Sequence, residues 1–130
     1  MRACQRRGKG GDRGSATVSF VIIAVPAVLF FLTIAQGGVW YLAREAAIDA
    51  ARQGADAARV YGAPPGAGPR AALVFARQAG PGYLLSPAAT ITVSNQRVQV
   101  TVTASVPVLV PGPWGQVSET AAGPVERFTP

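Results

Sequence analysis

The chain has no histidine, and its single cysteine, Cys4, lies in a basic N-terminal tail. An intramolecular disulfide is therefore impossible, and a zinc site of the usual His/Cys type has no ligands. Acidic residues are scarce, 6 against 12 basic ones, and no charged side chain occurs between Arg13 and Arg44. No surface helix of a soluble domain sustains an uncharged stretch of that length, because its outward face would strand apolar surface in water. With no imidazole, no thiol beyond Cys4 and no phosphate-cradling glycine loop, there is nothing to assign as base or nucleophile. The sequence predicts neither an enzyme nor a cofactor, metal, nucleic-acid or small-molecule site.

What is present is unevenly distributed. Of the net charge of +6, the segment before Ser15 carries +4, from Arg2, Arg6, Arg7, Lys9 and Arg13 less Asp12. Residues 1–14 are basic and glycine-rich, with no apolar pattern to fold around, and read as a disordered leader. Loosely alternating Arg and Gly suit a nucleic-acid tail. A basic cluster directly before a hydrophobic helix, however, is the arrangement that holds that helix with its N-terminus in the cytoplasm, and this reading is preferred. Residues 15–42, SATVSFVIIAVPAVLFFLTIAQGGVWYL, exceed the roughly 20 apolar residues needed to cross a bilayer. Ser15 is placed to cap the helix, and Trp40 and Tyr41 fall where amphipathic rings prefer the far interface. Pro26 costs one backbone hydrogen bond, which a buried helix can absorb as a kink. A cleaved secretory signal has an apolar core of only about 7–15 residues, so the small-residue site at Ala35-Gln36-Gly37 is not favoured.

Residues 43–61 continue the helix without a breaker. Ala43, Ala47, Ala51, Gly54 and Ala58 recur every three or four positions and form one stripe of small side chains. Two readings stay open: a helix resting closely on its own domain's sheet, or a groove admitting a neighbouring subunit's helix, as small-residue stripes do in membranes. Glu45, Asp49, Arg52 and Asp56 mark a solvated face, with Arg52–Asp56 an opposite-charge pair at four-residue spacing. The Pro/Gly linker at 62–69 must end the helix. Residues 70–130 then form a small α+β domain. A short helix with Pro69 in its first turn would bury Ala72, Leu73, Phe75 and Ala76. ATITVS (89–94) and RVQVTVTASV (97–106) alternate strictly, as strands do. A two-residue turn at Asn95-Gln96 sets Val93 opposite Val98 and Ile91 opposite Val100, all four on one face expected to be buried. A third strand is expected through 116–121.

In this order the motifs resemble the TadE/TadG-like family of the tight-adherence (Flp) pilus machinery. The resemblance rests on the leader ending Asp12-Arg13-Gly14, the SATVSFVII opening of the apolar helix, Tyr41-Leu42-Ala43-Arg44 and the alanine-rich run Ala46 to Ala55. VTVTASVPVLVPG and GPVERF extend it to the end of the chain. It implies a pilin-like, membrane-anchored α+β fold: one long helix spanning the cytoplasmic membrane, a small extracytoplasmic domain of a short helix and two or three antiparallel strands, and a structural role. It implies as partners the lipid bilayer, pilus or secretion platform proteins, related pilin-like subunits and a prepilin peptidase cutting between Gly14 and Ser15. At the fifth mature position the family commonly has Glu, whose carboxylate pairs with a neighbouring subunit's amine; Ser19 cannot. Either this chain does not polymerise as a major pilin does, or it is not processed in that way. The alternative is a single-pass anchored binding module outside any pilus.

Overall fold

A computed structural model describes residues 12–127. Cys4 and most of the basic leader lie outside the described residues. The element order is α1 (Asp12–Arg59), α2 (Ala67–Ala79), β1 (Leu85–Ser94), β2 (Arg97–Ser105) and β3 (Gln116–Pro124). The architecture is α+β: one long apolar helix, one short helix and a three-stranded antiparallel sheet of order β1-β2-β3. This is the layout a membrane-anchored, pilin-like fold requires.

Helix α1 contains 48 residues and is therefore about 70 Å long at 1.5 Å per residue. It passes through Pro26 without a break. Ser15 does not cap it, because the helix already begins at Asp12, so Ser15 lies inside the first turns. Tyr61, Gly62 and the prolines end it. Gly62 adopts φ 76° and Gly66 φ 81°, a left-handed backbone that glycine adopts without steric cost. Helix α2 starts earlier than Pro69 implies, at Ala67, with Pro69 still in its first turn. It buries Ala72 and Ala76, while Leu73 and Phe75 are only half-buried.

The hairpin pairs as its alternation requires: Val93 opposite Val98 and Ile91 opposite Val100. Asn95 and Gln96 both have positive φ, 44° and 67°, which is the two-residue turn whose twist matches its strands. β1 reaches back to Leu85 through an irregularity at Leu85–Ala88. There Ser86 has φ 47°, and Pro87 is tolerated because β1 is an edge strand that can spare an amide.

One expectation fails. Val98 and Val100 are buried, but Ile91 and Val93 on the same face are exposed, Val93 by 65%. The helices cover only part of the sheet. α1 packs on β2 and β3, and α2 reaches β1. The tip of β1 projects beyond this cover, so facing inward does not bury it. The core is accordingly thin, built of alanines from α1 and α2 and of Leu84, Val98, Val100, Val102, Val106 and Val117.

Candidate functional site

The feature that carries function is α1 together with the domain mounted on it. From Ala16 to Ala35 its side chains are exposed, apart from the half-buried Ala24. Phe20, Ile23, Phe30 and Phe31 are each more than 60% exposed. The helix is long and apolar enough to cross a membrane, with a mean hydropathy of 2.7 over its most apolar window and none of that window buried within the chain. Thr33, the one hydroxyl residue at the C-terminal end of this stretch, donates to the Leu29 carbonyl at 2.8 Å, so the backbone satisfies its hydroxyl without water.

From Gln36 onward the same helix behaves differently. Ala43, Ala47 and Ala51 are completely buried, Gly54 is buried and Ala58 is half-buried. The buried face is wider than the stripe, since Ala46, Ala50 and Ala55 join it. It lies beneath the chain's own β2, β3 and α2. Small side chains are needed because the backbones come close. A Cβ added at Gly54 would stand 2.9 Å from the Gly68 carbonyl oxygen, from Ala72 Cβ and from Val100 Cγ1. A Cβ added at Gly68 would stand 2.9 Å from the Gly54 carbonyl oxygen. The two glycines thus mark the point where α1 and α2 touch.

Three contacts fasten the domain along α1. Nearest the exposed stretch Gln36, 1% exposed, uses both ends of its amide. Its Nε2 donates to the Pro107 carbonyl at 3.1 Å, and its Oε1 accepts from the Leu109 amide at 2.6 Å. Midway, Arg44 Nε donates to Glu119 Oε1 at 2.8 Å on β3, with the guanidinium 5.9 Å from the centre of the Trp40 ring. The bond to Glu119, then that carboxylate's charge, raises the arginine's pKa further, so Arg44 stays cationic. At the C-terminal end of α1 the Glu126 amide donates to the Arg59 carbonyl at 3.0 Å, capping one orphan carbonyl of the last turn. Gln36 was not singled out in the sequence: a lone amide in an apolar run looks like an interface residue, and only the fold supplies its partners.

The remaining polar residues form a solvated face. Arg52 pairs with Asp49 at 3.0 Å and Arg59 with Asp56 at 3.2 Å, both at three-residue spacing, so Arg52 turns to Asp49 instead of Asp56. An open depression of about 490 Å³ beside α2 is lined by Gln53, Ala67, Arg70, Ala71, Val74, Phe75 and Gln78. No acid, imidazole or thiol is among them. Gly14 is exposed in the first turn of α1, and a Cβ there would meet nothing within 4 Å. Ser15 follows it in the helix, and Ser19 lies one turn further on the exposed apolar stretch.

No curated protein and no solved structure matches the chain. Residues 14–56, about a third of the chain and almost all of α1, match the family described as TadE-like protein. The match falls on the long helix, with its exposed apolar half and its alanine-rich packed half, and over that helix the chain is similar to TadE-like proteins.

Proposed function

We propose that this chain is a single-pass component of a tight-adherence type pilus or related secretion apparatus, acting as an assembly factor or as a minor, pseudopilin-like subunit. The observation that carries the reading is the TadE-like match over residues 14–56, which falls on a helix half bare and half packed. The bare half suits a bilayer, where every backbone group is satisfied within the helix and apolar side chains face lipid. The basic leader favours a cytoplasmic N-terminus, with the packed half and its sheet outside. Platform proteins and related pilin-like subunits are the natural partners of the span, and its large side chains are the surface they would meet.

Processing tests the reading. Gly14 and Ser15 lie in the first turn of α1, where the leading amides have no helical acceptor. A peptidase can therefore unwind this turn at small cost. Removing the leader would take +4 of charge from the cytoplasmic side, releasing the helix from charges that cannot cross hydrocarbon cheaply. Intact mass of membrane-extracted protein, with a co-expressed prepilin peptidase, should place the mature N-terminus at Ser15, and Gly14→Val should block its formation. If Cys4 and Arg13 remain on the chain while that peptidase is active, the pseudopilin reading fails. An anchored binding module then becomes the better account.

A further inference from the structure

The β2–β3 connection, residues 106–115, reads VPVLVPGPWG. Its only side-chain polar atom is the indole nitrogen of Trp114, which is buried without a partner. Connections on a water-facing surface are normally built of polar turn residues. This one instead exposes Val108 and Leu109, each 51% accessible, and leaves Pro111 and Pro113 exposed as well. The opposite end of the sheet is more polar: the Asn95-Gln96 turn is flanked by Thr92, Ser94, Arg97 and Gln99, with Val93 an exposed apolar residue among them.

The fold fixes the height of the apolar loop on α1. Gln36 holds it through the Pro107 carbonyl and the Leu109 amide, and β3 then climbs α1 by way of Arg44–Glu119 to Arg59–Glu126. A hydrocarbon layer of about 30 Å, entered after Arg13, is crossed in about 20 residues. It is therefore left close to Gln36. Trp40 lies one turn above, at the level that indole rings prefer. The loop thus meets the helix where the continuously exposed apolar stretch of α1 gives way to its packed face, with Tyr41 and Leu42 still exposed just beyond, and it continues that stretch sideways.

We infer that the 106–115 loop is a lipid-contacting foot, which rests Val108 and Leu109 in the outer boundary of the bilayer and seats the domain on the membrane surface. Such groups reach about 5–10 Å into the headgroup–acyl boundary. Gln36 satisfies the two backbone groups of the foot that face the helix at this depth, where an unpaired amide or carbonyl would be costly. The polar β1–β2 turn stands at the far end, in water. The inference rests on α1 spanning the bilayer, as proposed above, and is independent of any role in a pilus.

The test uses the full chain in phosphatidylcholine vesicles, with Cys4→Ser as background and an environment-sensitive fluorophore attached at one of four positions. Leu109→Cys and Val108→Cys probe the foot, Val93→Cys the far tip and Ile23→Cys the span. All four native side chains are exposed, so none of these substitutions removes core. Labels at 108 and 109 should be quenched by nitroxide carried high on the acyl chains, and by aqueous iodide several-fold less than the label at 93. Iodide reaching 109 as freely as 93, with 23 still quenched by deep acyl nitroxide, overturns the foot and leaves the span standing. A label at 109 shielded from iodide but untouched by lipid nitroxide also overturns it, since protein, such as a second copy, would then cover the loop. Iodide access at 23 overturns the foot and the membrane reading together.

Discussion

The two halves of α1 are one helix built for two surroundings. From 16 to 35 it carries large branched and aromatic side chains that stay exposed, and from 36 to 59 it carries alanine and glycine on the face that meets a sheet and a second helix. Side-chain size is thus inverted relative to the usual core. The bulky residues lie outside, and the smallest lie inside. In the first half apolar character and length matter more than which residue provides them, since the requirement is to match a slab of hydrocarbon. In the second half volume is decisive, because the backbones are close enough that a single methyl group collides.

Five substitutions sharpen or break this contrast. Val100 is fully buried between the strands and Gly54. Val100→Asp should cost several kcal/mol by stranding a charge in the core, while Val93→Asp on the same sheet face, already exposed, should cost little. Equal losses in thermal or urea unfolding would mean that the β1 tip is covered after all. Next comes Gly54→Ala. The methyl group meets a backbone carbonyl that cannot swing away, so overpacking should cost about 1–3 kcal/mol, despite alanine's better helix propensity. A stabilised variant would disprove the close crossing of α1 and α2.

At the border between the halves, Gln36→Ala leaves the Leu109 amide without its acceptor. About 1 kcal/mol should be lost for an orphaned, partly buried donor, and hydrogen exchange at Leu109 should accelerate while that of β2 follows only the global loss. Unchanged protection at 109 would show that the clamp holds nothing. Smallest of all, Ile23→Ala should shift the unfolding of the domain by less than about 0.5 kcal/mol, because Ile23 contributes nothing to the domain's core. A loss as large as that at Gly54 would erase the distinction between the halves.

Much of this arrangement could be read from the residues, and the gaps have identifiable causes. The hairpin register followed from strict alternation on both sides of Asn95-Gln96, since only one pairing of a two-residue turn keeps the valines together. The length of α1 followed from the missing charges between Arg13 and Arg44, which set the span, and from the lack of a breaker in residues 43–61, which continued the helix. Alternation assigns a residue to a face but does not say how far the opposing layer extends, so Ile91 and Val93 were expected inside and are found exposed. The stripe from Ala43 to Ala58 showed that something approaches closely, and left open what. The answer required Gly68, which joins Gly54 only after the chain has turned through its Pro/Gly linker. Gln36 had no local signal at all, because its partners lie in a loop more than 70 residues away.

The fastening of the domain along α1 has a mechanical consequence. Attachments at Gln36, Arg44 and Arg59 are spread over about 35 Å of helix, and β3 runs beside the helix between the last two of them. A load applied to the domain along the helix axis is met as shear, shared by every attachment at once. A load applied across the axis peels the domain from one end, breaking the attachments one after another. The joint is therefore strong along the helix axis and weak across it.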